Sequence, residues 1–149
     1  MIGYLDTSVL LRILFNEPYE KINLSVFEKI ISSELIEIEA RRRLNNMRLA
    51  NQLSDSEVAM FSMKLSSMLE SMDQILITRP IINRAKHSAG VQIRTLDFMH
   101  LCSALFWKEV KKKEIMILTH DIEFGRAAQI LGLQIVGTTT EYLTRRPKN

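Results

Sequence analysis

The sequence predicts an α/β fold, one domain built on a parallel sheet of about five strands with helices on both faces. Three observations carry this prediction. Short apolar runs at 2–5, 75–77, 115–118 and 133–136 alternate with longer helical segments. Those runs are apolar without polar alternation, which is the pattern of strands covered on both faces. No repeat, low-complexity segment or linker divides the 149 residues, a length suited to a single core.

Residues 2–5 read as the first strand, and residues 8–14 as a helix closed by Asn16-Glu17-Pro18. Residues 26–31 read as a short helix running into a short strand. A helix over 33–51 follows, with Ser33 as its N-cap. Ser54-Asp55-Ser56-Glu57 is a capping box that opens a second long helix reaching about Met72. Residues 75–77 form a strand, and Thr78 and Pro80 open a helix through about Ala89. Thr95 caps a helix over 96–112 that is apolar nearly all round and therefore expected to be buried. Residues 115–118 form another strand, a helix over 122–131 ends at Gly132, and 133–136 is the last strand. A short terminal helix over 141–145 precedes a basic tail. The domain is thus expected over 1–144, with 145–149 as the tail.

Composition narrows the function classes. Hydrophobic residues make up 46% and charged residues 25%, ordinary values for a globular protein. Cys102 is the one cysteine, so no intramolecular disulfide and no Cys-based zinc site can form. His87, His100 and His120 lack the spacing of a zinc motif. No apolar run approaches the about 20 residues of a membrane span. The start, Met1-Ile2-Gly3-Tyr4-Leu5-Asp6, meets an acid without a basic lead-in, which argues against a signal peptide. A cytoplasmic protein with no membrane partner is expected. The net charge of +3 and pI of about 9.1 are compatible with nucleic acid. The excess is concentrated in Arg41-Arg42-Arg43, Lys111-Lys112-Lys113 and Arg145-Arg146-Pro147-Lys148. The last two groups read as solvated surface, and the lysines also complement a helix C-terminus. The first loop, Asp6-Thr7-Ser8, has no glycine, and no G-x-G-x-x-G, P-loop or G-x-S-x-G motif occurs.

Four acids stand where an α/β sheet would bring side chains together. Asp6 ends the first apolar run, and Asp121 follows the run 115–118 past Thr119 and His120. Either could instead simply cap the helix after it. Asp97 begins the apolar helix, where the dipole favours an acid in any case. Its face carries His100 one turn on, which could orient a carboxylate but is more commonly a hydrogen-bonded core residue. Glu39 competes with Glu34 and Glu37. Periodicity places Glu39 beside the apolar stripe, with an i,i+4 pair to Arg43 as the alternative. In open α/β sheets the crevice lies outside the carboxyl ends of the strands. Four carboxylates there need a cation, and hard oxygen donors suit Mg²⁺ or Mn²⁺. Met60, Met63, Met68 and Met72 read as packing or an interface stripe rather than ligands.

With these residues in place, the chain resembles the PIN-domain ribonucleases, most closely the small VapC-like toxins of toxin–antitoxin pairs. The resemblance rests on four segments in order: residues 1–10, the Ser33-to-Glu39 spacing, Leu96-Asp97-Phe98-Met99-His100-Leu101, and Leu118-Thr119-His120-Asp121 with the helix after it. Met99 and Cys102 stand where small residues are more usual in the family. The resemblance selects Glu39 over its neighbours. It implies a PIN-like domain and a metal-dependent endoribonuclease. Asp6, Glu39, Asp97 and Asp121 would be catalytic. Asp6, Asp97 and Asp121 would bind Mg²⁺ or Mn²⁺, and the ion would position and activate a water for in-line attack on RNA. Thr7, Ser8 and Thr119 would hold carboxylates or waters. It also implies a homodimer and a cognate antitoxin. Arg12, Arg42, Arg43 and Arg94 are the RNA-binding candidates by their closeness in sequence to the acids. Competing readings are a PIN-like module that binds RNA or protein without cutting, and a nuclease on DNA or structured nucleic acid. A haloacid-dehalogenase-type phosphatase would need a second Asp at position 8, where Ser8 stands.

Overall fold

In a computed structural model that describes residues 1–18, 22–87 and 89–138, strands and helices alternate along the chain. In order they are β1 (Ile2–Leu5), α1 (Thr7–Phe15), a 3-10 turn (Leu24–Val26), β2 (Lys29–Ser33), α2 (Leu35–Leu49) and α3 (Asp55–Glu70). Then follow β3 (Asp73–Ile75), α4 (Arg79–Ala85), α5 (Thr95–Lys111), β4 (Ile115–Leu118), α6 (Ile122–Ile130) and β5 (Gln134–Val136). The five strands form one parallel sheet in the order β3-β2-β1-β4-β5. The chain starts at the centre, builds outward through β2 and β3, and returns to the far side of β1 for β4 and β5. The order therefore reverses between β1 and β4, and a crevice opens at their carboxyl ends.

The pleat divides the core in two. Ile2 and Tyr4, with Ile115 and Ile117, pack against Leu101 and Ala104 of α5 and Phe124, Ala127 and Ala128 of α6. Leu5 and Leu118 face the opposite side, against Val9, Leu10 and Leu14 of α1, Ile36, Ala40 and Leu44 of α2, and Leu65 and Leu69 of α3. Each fully buried aliphatic side chain contributes roughly 1.5–3 kcal/mol. The two layers thus support the crevice from both sides.

Local signals set most helix ends. Asn16 stops α1 in the left-handed conformation, φ 53°, with its N–H on the carbonyls of Arg12 and Ile13. The capping box of α3 forms, with Glu57 N donating to Ser54 Oγ at 3.3 Å and Ser54 N to Glu57 Oε2 at 2.8 Å. Gly132 follows α6 with φ 76°.

Several expectations shift. β2 runs through Ser33, so Ser33 does not cap α2. Glu34 occupies the cap position without a side-chain cap bond, and the Ser33 hydroxyl turns to a tertiary partner, His100. Thr95 lies inside α5, whose cap position is Arg94. β3 sits two residues earlier than expected because its ladder with Ile31, Ser32 and Ser33 sets the register. α5 is buried on all sides at its middle, His100 to Ala104, as its apolar composition predicts. The burial does not extend to its ends, where Leu96 and Val110 are exposed and Glu109 pairs with Arg84. Met68 and Met72 pack against the core, which leaves Met60 and Met63 exposed on α3. The expected helix over 141–145 and the tail lie outside the described residues. No described helix is long and apolar enough to cross a membrane.

Candidate active site

Asp6 follows β1 directly. Its N–H donates to the Leu118 carbonyl at 3.0 Å, which prolongs the β1–β4 ladder by one residue. Its Oδ2 accepts from Ser8 N at 3.3 Å, Ser8 Oγ at 2.5 Å and Thr119 Oγ1 at 2.8 Å. The capping role and the site role therefore coexist: Oδ2 is fixed by the protein and Oδ1 is left for the crevice. Thr119 is held in turn, its N–H on the Val136 carbonyl at 3.1 Å. Gly137 makes this approach possible, since at φ +102° an added Cβ would lie 2.5 Å from the Thr119 carbonyl oxygen.

Asp121 divides its oxygens in the same way. Oδ1 caps α6 by accepting from Phe124 N at 3.0 Å, and Oδ2 accepts from Arg94 Nη2 at 3.3 Å. Asp97, in the first turn of α5, accepts from Arg94 Nε at 2.8 Å. Burial pushes the Asp97 carboxyl above the usual aspartate range. The charges of Asp121 and Asp6 add to the rise, and Arg94 offsets part of it. Arg94 thus acts as a counter-charge shared by two acids.

Glu39 reaches the crevice from α2. Its Oε2 accepts from the Thr7 hydroxyl and from His100 Nε2, the latter at 3.0 Å. Burial alone would raise this carboxyl. The hydrogen bonds from His100 and Thr7, with the positive charge of Arg94, hold it below the usual glutamate range. The alternative pair with Arg43 does not form. Glu34 turns to Ile77 N at 2.6 Å and Glu37 to Arg41 at 2.7 Å, so neither competes for the crevice.

All four acids line a single cavity of about 690 Å³ together with Thr7, Ser8, Arg42, Arg43 and Arg94. From α2 the lining residues Leu35, Ile38, Glu39, Arg42, Arg43 and Asn46 fall on one helical face. Arg12 is not among the lining residues. Among the described residues, no three His, Cys, Asp or Glu form a compact metal cluster. The acids surround an open space, an all-oxygen set that fits a hard cation keeping several of its waters. Burial is the main cause of the raised Asp97 carboxyl, and the smaller contributions of Asp121 and Asp6 are the part that such a cation would offset.

Sequence reasoning does not reach the network behind Glu39, formed by Tyr4, Ser33 and His100. The available signal is three polar groups inside apolar segments, which burial obliges to find partners.

A model of the PIN domain matches residues 3–130. No curated protein matches the chain. Among solved structures, a chain of VapBC2 from Rickettsia felis, described as bound to a DNA fragment from their promoter, superposes with a TM-score of 0.66 at 16% identity. The match covers 91% of this chain and 98% of that one, a likeness of fold. The family match runs from β1 to the end of α6, the stretch that brings Asp6, Glu39, Asp97 and Asp121 to one cavity, and the chain belongs to the PIN domain family.

Proposed function

We propose that this chain is a divalent-cation-dependent endoribonuclease, the toxin of a toxin–antitoxin pair acting in the cytoplasm. The observation that supports it most is the set Asp6, Glu39, Asp97 and Asp121 around one cavity at the reversal of the sheet. Asp6, Asp97 and Asp121 would hold Mg²⁺ or Mn²⁺. When bound, the ion supplies activation of a water for in-line attack and neutralisation of charge on the phosphoryl oxygens.

The chain's own residues set the geometry. Ser8 and Thr119 hold one oxygen of Asp6 so that the other points one way, and Thr7 does the same for Glu39. Arg42 and Arg43 line the cavity one turn beyond Glu39 and offer phosphate contacts along an RNA strand. They offset the repulsion between the acids and the backbone. Arg94 is engaged by Asp97 and Asp121 and meets RNA only beside them. Arg12 would serve a strand that continues past the cavity.

The toxin reading is carried over from the likeness to VapBC2. An antitoxin segment would cover the cavity mouth, where Ile38 and Leu96 are 52% and 47% exposed beside the acids. Met60 and Met63 offer apolar surface for a homodimer. The test is labelled single-stranded RNA with Mg²⁺ or Mn²⁺, beside DNA of the same sequence. RNA should be cut and DNA spared. Preferential cutting of DNA would overturn the ribonuclease reading, and cutting of neither would leave a binding module. Expression should arrest growth, and light scattering should give a dimer. A monomer whose expression is harmless would count against the toxin.

Two variants test the assignments on α2. Glu39→Gln should slow cleavage, whereas Glu37→Gln should leave it near wild type because Glu37 pairs with Arg41 outside the cavity. The reverse result would overturn the choice of Glu39. Arg42→Ala should weaken RNA binding on different sequences alike and lower its salt dependence by about one contact. Binding is measured on an Asp6→Asn background with Ca²⁺. An unchanged slope with normal affinity would remove Arg42 from the RNA path.

A further inference from the structure

His100 is buried beside the cavity, 1% exposed, yet it does not line it. Three elements meet at its ring. Nδ1 lies 3.0 Å from the Tyr4 hydroxyl of β1 and 3.1 Å from the Ser33 hydroxyl of β2, and Nε2 lies 3.0 Å from Glu39 Oε2 of α2. The ring also stands edge-on to Tyr4 and Phe124, at 87° and 89°, which restricts its rotation.

For a neutral ring, the proton inventory selects one arrangement. An ionised carboxylate only accepts, so the bond to Glu39 requires a proton on Nε2. A neutral imidazole carries one N–H, so Nδ1 must then accept. The Tyr4 oxygen accepts from Ser33 N at 3.1 Å, and its own O–H can be donated to Nδ1 of such a ring. Burial pushes the Tyr4 hydroxyl well above its ordinary value, so it keeps that proton. Both polar bonds to Glu39, from Thr7 and His100, fall on Oε2. The free oxygen is Oε1.

We infer that His100 is a positioning residue for Glu39, a neutral Nε2–H tautomer set by Tyr4 and Ser33 that turns Oε1 of Glu39 toward the cavity. α5 then supplies the site twice. Asp97 lines the cavity directly, and His100, three residues on, lies one turn deeper and acts through the acid of another helix. The role of Glu39 in cleavage rests on the ribonuclease reading, but the tautomer does not depend on it.

Two measurements decide the inference. Long-range ¹H–¹⁵N correlation on imidazole-labelled protein should show the neutral Nε2–H form of His100, and Tyr4→Phe should weaken that preference. A Nδ1–H ring, or one protonated on both nitrogens at neutral pH, would overturn the inference. For cleavage, His100→Asn places its amide near the Nδ1 position and cannot reach Glu39. It should lower kcat roughly ten- to a hundredfold with little change in KM. His100→Gln carries an N–H donor out to the Nε2 position and should recover most of that loss. Asn leaves a larger cavity than Gln, so urea melts on both variants are read beside kcat, and a kcat ranking that merely follows their loss of stability would overturn the positioning role. Equal kcat in the two folded variants would overturn the positioning role. If the wild-type protein cuts no RNA, the ribonuclease reading falls, and the ring spectrum still decides the hydrogen-bond arrangement.

Discussion

Asp6→Asn should lose RNA cleavage by at least about a hundredfold, the scale seen when one preorganised electrostatic group is removed from a site. The variant should remain folded. Asn keeps a carbonyl oxygen where Oδ2 accepts from Ser8 and Thr119, so the β1–α1 corner retains its bonds. What is lost is the negative charge on the oxygen facing the cavity. Asp97→Asn should behave alike and be no less stable. Because burial and then the neighbouring acids raise the Asp97 carboxyl, its ionisation costs the folded state stability as pH rises through and above its ordinary value of 3.8. Asn removes that cost and also gives up the exposed pair with Arg94, an interaction of small worth. Glu39 has the opposite sign. Its depressed carboxyl stabilises the fold above the ordinary value of 4.5, and that contribution fades as pH falls through its lower folded-state value. Cleavage assays with circular dichroism and urea melts check these outcomes. An Asp6→Asn protein with wild-type kcat would remove Asp6 from the chemistry.

Chelation by EDTA should stop cleavage, and added Mg²⁺ or Mn²⁺ should restore it. The cavity offers oxygen donors from Asp6, Asp97 and Asp121 without thiolate, a set that favours hard ions over zinc. EDTA should leave the fold intact, because Arg94 already spans Asp97 and Asp121 and the Asp6 corner is bonded internally. Mg²⁺ should raise the unfolding midpoint, by roughly 2.7 kcal/mol of stability at a hundredfold excess over Kd. Asp97→Asn should shrink that rise. Cleavage that continues at full rate in EDTA would overturn the metal-dependent reading.

The strands, the capping box of α3 and the left-handed stop at Asn16 were legible because each depends on residues close in the chain. The boundaries that moved depend on distant partners. Ser33 carries a good capping hydroxyl, yet burial against Tyr4 and His100 holds it in β2. The register of β3 comes from β2, not from its own apolar residues.

The site divides along the same line. Asp6 and Asp121 were readable as acids after apolar strands, and local capping rules place them at the starts of α1 and α6. That they line one cavity follows from the sheet order, which sets β1 beside β4 with the reversal between them. Glu39 shows the same limit from the other side. Helical periodicity could rank it only modestly above Glu34 and Glu37. The bonds from Thr7, 32 residues away, and His100, 61 residues away, single it out. Periodicity records which side of a helix is apolar. It carries no information about which polar group of another element waits at the edge of that side, and a buried carboxylate is specified by that group.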